Sequence, residues 1–163
     1  MGRIIKVSVQ KQQLMLYKND VLLAEYPIST AKNGIGQQYG SMQTPLGRHR
    51  ICAKVGEGAP MGTVFRGRIP TGEIHTPELE AAQIQHKDWI ITRILWLEGL
   101  EEGFNRGGNV DTKARKIYIH ASPDSRPMGT PYSHGCICLH SHAMLMLFDQ
   151  VSVGELVEIN DEA

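Results

Sequence analysis

The residues best suited to chemistry sit together near the C-terminal end: Ser133, His134, Gly135, Cys136, Ile137 and Cys138, with His120 upstream. A thiol beside an imidazole can act as a nucleophile with its own base. It needs that help, because a free Cys has a pKa of about 8.5 and is mostly protonated near neutral pH. A neighbouring His lowers that pKa or takes the proton. Gly135 lets the backbone bend tightly and a substrate come close. His120 and Cys136 are 16 residues apart, and the stretch 121–133 between them holds three prolines and a glycine. Such a loop can fold back and set the end of a strand against the Cys turn. His134 is the second candidate base, since positions 134 and 136 project to one side of an extended chain.

A metal-binding module is the competing class. His134, Cys136, Cys138 and His140 alternate, and both residue types are zinc ligands. Ligands at every second position lie in a row, however, whereas zinc motifs usually leave two to four residues between paired ligands. The expectation is therefore no metal and no cofactor. His49, His75, His86 and His142 read as surface or internally bonded side chains, and Cys52 as a strand residue. Cys138 on its own reads as a small buried hydrophobe.

The elements that must position these groups are mostly strands. Ile4 to Val9, Leu14 to Tyr17 and Val21 to Tyr26 read as strands, the last two joined by a hairpin turn at Lys18-Asn19-Asp20. Ala31 to Gly47 reads as a long loop. Arg48 to Val55 alternates as a half-buried strand should. Gly56 to His75 reads as loop with a short extended piece at Val64-Phe65. Thr76-Pro77-Glu78 is a helix start of uncertain extent. Trp89 to Leu97 reads as a central strand, and Lys116 to His120 as a strand that delivers His120 at its end. Ser141 is the expected cap of a helix running to about Gln150, with Met144, Leu145, Leu147 and Phe148 on its apolar face. Glu155 to Ile159 closes the chain as a strand. The expected fold is mainly β, one domain over 1–163, with one clear helix after the Cys motif.

Bulk properties exclude several classes. A chain of 163 residues has room for a real core. Acidic and basic residues balance at 17 each, which gives no electrostatic case for nucleic acid or an anionic membrane. No apolar stretch approaches the roughly 20 residues of a membrane span. Three cysteines make no disulfide framework. Residues 1–9 read as a strand with no export signal, so a cytoplasmic location is expected, or a periplasmic one if an export segment has been removed. The oligomeric state is left open.

Read as a whole string, Ile117-Tyr118-Ile119-His120 followed by Ser133 to Cys138 resembles the L,D-transpeptidase (YkuD-type) catalytic domain family. Ile4 to Thr30, the Thr44-Pro45-Leu46-Gly47 turn, Thr92 to Trp96 and Asn105 to Gly108 are similar to further segments of that family. The resemblance implies an L,D-transpeptidase-like β-sandwich and a cysteine acyltransferase acting on peptidoglycan stem peptides. Cys136 would attack the carbonyl of the third, L-centred residue and expel terminal D-alanine, with His120 as base. His134 and Ser133 would shape the site, and backbone N–H groups near Gly135 and Cys136 would bind the oxyanion. The family usually carries Arg two residues after the nucleophile; here Cys138 stands there. A guanidinium grips a carboxylate bidentately and a thiol cannot. Arg93, Arg106 and Arg126 are candidates to supply that contact. The sequence favours L,D-carboxypeptidation, trimming a tetrapeptide to a tripeptide, with cross-linking or D-amino-acid exchange as the alternative.

Overall fold

The computed structural model describes residues 2–85 and 88–162; His86 lies outside them. Among the described residues the strands are Ile4–Ser8 (β1), Gln13–Lys18 (β2), Val21–Pro27 (β3), Gly47–Val55 (β4), Thr63–Arg66 (β5), Ile69–Ile74 (β6), Ile90–Gly99 (β7), Tyr118–Ala121 (β8), Ile137–Leu139 (β9) and Leu156–Asn160 (β10). Two α-helices, Pro77–Ala82 (α1) and Ser141–Gln150 (α2), accompany them. The fold is mainly β, consistent with the expected sandwich. The expectation of one clear helix is corrected to two. α1 forms because Thr76 Oγ1 accepts the Leu79 N–H at 3.0 Å and Pro77 occupies the first turn.

The strands run β3-β2-β1-β10-β4-β7-β5-β6, with β8 pairing β7 and β9 pairing β8. The β1–β10 and β8–β9 pairs are parallel and the others antiparallel. The β2–β3 hairpin turns on Asn19 and Asp20, whose φ angles of 52° and 65° suit those two residue types. Leu14 and Leu16 alternate inward from β2, as Ile5 and Val7 do from β1. The expected loop over 56–75 instead contains the β5–β6 hairpin, turning at Gly67 and Arg68, both with positive φ.

β7 is the strand on which the site is built, because β4, β5 and β8 all pair with it. Its register with β8 shifts between Ile91 and Ile94, a bulge that sharpens the local twist. Thr92 in the bulge has φ 75°. Its Oγ1 accepts the Gly62 N–H at 3.1 Å and shares a 2.6 Å hydrogen bond with Ser141 Oγ. Ser141 was the expected cap of α2. It is instead the first helical residue; His140 is the N-cap and makes no side-chain cap bond, its Nε2 lying 2.8 Å from the Arg126 carbonyl oxygen. Met144, Leu147 and Phe148 bury the inner face of α2 in the main core. None of the described helices is long and apolar enough to cross a membrane.

Candidate active site

The β8–β9 register sets His120 beside Cys138, with Ile119 beside Ile137 and Ala121 beside Leu139. β9 is buried on both faces, so its Ile-Cys-Leu composition suits a strand enclosed by neighbours. His120 is 1% exposed, and its Nδ1 lies 2.7 Å from the Ala121 carbonyl oxygen. A carbonyl only accepts, so Nδ1 carries the proton and Nε2 is left as the basic nitrogen. That Nε2 faces Cys138 Sγ at 3.7 Å. Burial pushes the imidazole below its ordinary pKa, against the opposing effects of the Ala121 carbonyl and the Asp88 charge. The ring is therefore neutral near pH 7, as a general base must be.

Cys138 is 3% exposed. Burial holds its thiol well above the ordinary range, Cys136 and Asp88 push the same way, and Arg126 opposes them. Cys136, one pleat earlier, is half-buried and differently placed. Its Sγ accepts the Tyr118 N–H at 3.3 Å, and its S–H points to the Lys116 carbonyl at 3.6 Å. Burial, with Asp88 adding to it, pushes this thiol up to about 12, while the Tyr118 N–H and Arg115 pull the other way. Neither thiol is a standing thiolate. Either would have to give up its proton to a base before it could act as a nucleophile.

The turn that presents Cys136 is tightly specified. Gly135 has φ 131°, and a Cβ there would lie 3.2 Å from Ile117 Cδ1 and 3.3 Å from the Gln43 carbonyl oxygen. Thr44 Oγ1 donates to the Gly135 carbonyl at 3.0 Å. Ser133 Oγ donates to the Cys136 carbonyl at 2.6 Å and accepts the Gly135 N–H at 3.3 Å. Ser133 thus staples the motif turn, and the Gly135 N–H already has a partner. His134 projects outward, with Nδ1 3.8 Å from Asp88 Oδ1.

His120, Ser133, His134 and Cys138, but not Cys136, line a cleft of about 800 Å³ that is walled also by Lys32, Glu80, Asp88, Trp89, Arg126 and Tyr132. Of the candidate arginines, Arg126 alone borders it. Arg93 is buried elsewhere, donating to the Ala59 and Thr92 carbonyls and stacking over Phe148. Arg106 is exposed beside Glu102 and borders a separate surface hollow. Lys32, Glu80, Asp88 and Tyr132 escaped the sequence reading, and only Tyr132, next to the motif, had a local signal. Among the described residues, no group of three His, Cys, Asp or Glu side chains could hold an ion. His140 Nε2 instead donates to the Arg126 carbonyl at 2.8 Å.

The sequence matches the model of the YkuD L,D-transpeptidase catalytic domain over residues 2–159. The chain belongs to this family. No curated protein matches the sequence. Several solved L,D-transpeptidases share the fold. One, in complex with imipenem, is 20% identical, with a TM-score of 0.60 and coverage of 98% of this chain and 59% of that one. An L,D-transpeptidase from Mycobacterium smegmatis is 19% identical, with a TM-score of 0.59 and coverage of 98% and 58%. An Enterococcus faecium L,D-transpeptidase is 17% identical, with a TM-score of 0.60 and coverage of 98% and 50%. The chain thus spans between half and three-fifths of the length of these relatives.

Proposed function

We propose that this chain carries out L,D-transpeptidase-type acyl transfer on peptidoglycan stem peptides through a cysteine thioester. The observation that carries this reading is the neutral His120, its tautomer set by Ala121, presenting Nε2 to a thiol on a cleft large enough for a peptide. The thiol attacks the carbonyl of the third stem residue and its proton passes to His120 Nε2. The carbon–nitrogen bond to the terminal D-residue then breaks, and His120 returns the proton to the leaving amine. An incoming amine next attacks the thioester, frees the thiol and leaves a new amide.

Two thiols are available. The Ser-His-Gly-Cys motif assigns the nucleophile to Cys136, held by the turn that Ser133 and Gly135 build. Cys138 is the second assignment, favoured by its 3.7 Å contact with His120. The acyl acceptor also has two readings. An amine gives cross-linking or D-amino-acid exchange. Water gives L,D-carboxypeptidation, which position 138 favours, since a buried thiol stands there in place of the family's usual arginine.

Incubation with a disaccharide tetrapeptide, with and without a free D-amino acid, tests both points by mass spectrometry. Exchange or dimer products support the amine acceptor, and tripeptide supports water. Unchanged tetrapeptide under both conditions would sink the proposed function.

A further inference from the structure

The two-residue turn between β5 and β6, Gly67-Arg68, has φ angles of 55° and 65°. Gly, Asn and Asp suit a turn with positive φ at both positions, and an Arg held there is strained. Strain of this kind gathers at sites that hold a ligand. The strained residue directs its guanidinium onto the outer face of β7 and β8. Arg68 Nη1 donates to the Tyr118 hydroxyl at 2.8 Å, and its guanidinium carbon lies 4.0 Å from the centre of the Trp96 ring. Trp96 meets Tyr118 edge-on at 6.1 Å, and its Nε1 donates to the Lys113 carbonyl at 3.2 Å. Both rings are therefore fixed, and the guanidinium with them.

The motif thiol belongs to the same cluster. Cys136 packs with Tyr118 and Trp96, and its Sγ accepts the Tyr118 N–H at 3.3 Å. The thiol and the Arg68 guanidinium thus stand at the two ends of one tyrosine. Among the described residues, neither Arg68 nor Lys113, whose Nζ lies 5.4 Å from the Trp96 ring centre, forms an ion pair. Arg115, next to the motif turn, donates only to the Gly36 and Gln43 carbonyls and to Ser41 Oγ. Three cations around Cys136 therefore lack a paired carboxylate, in a chain with 17 acidic and 17 basic residues. Such a concentration of one sign attracts an anion. The carboxylates of a stem tetrapeptide differ in reach. The terminal one is separated from the scissile carbonyl carbon only by the amide nitrogen and one Cα, too short to pass Tyr118. One at the far end of the third residue's side chain lies beyond a run of methylenes, a length comparable to the tyrosine it would run beside. A planar guanidinium takes such a group bidentately.

We propose that Arg68 binds a carboxylate at the end of the third stem residue's side chain, on the platform that Trp96 and Tyr118 form beside Cys136. This rests on the acyl-transfer reading above, with Cys136 as nucleophile. It makes Arg68 a specificity-determining residue for a third residue of the diaminopimelate kind over one whose side chain ends in an amine alone.

The test compares a disaccharide tetrapeptide with diaminopimelate at the third position and the same peptide with that side-chain carboxylate amidated. Both are given to wild type, Arg68→Asn and Arg68→Lys. Wild type is expected to favour the free acid by about tenfold or more in kcat/KM. Arg68→Asn places in the turn a residue type that suits its φ, so the fold is expected to persist. It should erase the preference by raising KM for the acid, with kcat and the amidated peptide little affected. A merely structural role would instead slow both peptides alike. Arg68→Lys keeps the charge without the planar fork and should show a smaller preference than wild type. Equal use of both peptides by wild type, or an undiminished preference in either variant, overturns the proposal. Failure of wild type on both peptides overturns the acyl-transfer reading, and this assignment with it.

Discussion

In the proposed reaction the chemistry converges on His120, because one hydrogen bond decides which of its nitrogens is basic. With Nδ1–H committed to Ala121, only Nε2 can accept a proton from a thiol. Replacement by Gln removes that base, and the turnover rate should fall by about 10²-fold or more. The acid limb of the pH–rate profile should lie below the ordinary imidazole range, since burial favours the neutral, active form to lower pH. An acid limb above pH 6.5 would contradict this. Cys136→Ala should abolish turnover and Cys138→Ala should leave it measurable; the reverse pattern assigns the nucleophile to Cys138. Both thiols are pushed above the ordinary cysteine range. Iodoacetamide should therefore label them more slowly than a free cysteine at pH 7, with rates rising as the pH is raised.

At the scale of elements, the motif turn and the β8–β9 pairing place the two thiols and the His120 imidazole. Gly135→Ala must hold a side chain at φ 131° and press it against the Gln43 backbone. The expected cost is about 1–3 kcal/mol in urea unfolding, with loss of activity. Leu147→Ala empties a fully buried position of α2 and should cost about 2–5 kcal/mol. The same elements explain what the sequence discloses and what it hides. β1 to β3 are legible because Leu14 and Leu16 alternate inward and Asn19-Asp20 tolerates a left-handed turn. The β5–β6 hairpin is hidden because β6 is almost wholly exposed and carries Pro70 and Gly72, so no apolar alternation betrays it. The cap of α2 falls one residue before Ser141, at His140, a residue type that carries no capping signal. Cys136, Gly135, Ser133 and His120 are legible as candidates because they lie in one contiguous motif and at a strand end. Lys32, Glu80 and Asp88 were not, since they reach the cleft from separate segments that share no local spacing. The His120–Cys138 pairing depends on the parallel register across a loop, which no pattern of residue types reveals.

For the whole molecule, acid stability follows from buried imidazoles. His49 is fully buried between the Gly47 carbonyl and Thr112 Oγ1. Burial lowers its pKa to about 4, with Arg115 adding to that and the Gly47 carbonyl and Glu101 opposing. Its folded pKa lies below the unfolded value of about 6.5, so the unfolded chain binds the proton first. The contribution is complete above pH 6.5 and is lost as pH falls toward 4. It amounts to roughly 3 kcal/mol, which urea titrations across that window should register. His120 adds to the slope in the same direction. The family match over residues 2–159 and the cleft beside His120 bear on one central claim: that a thiol of this chain carries the acyl group. Release of D-alanine from a disaccharide tetrapeptide by the folded Cys136→Ala/Cys138→Ala double variant tests it most directly. The account predicts release at the uncatalysed background, and release at the wild-type rate would contradict it.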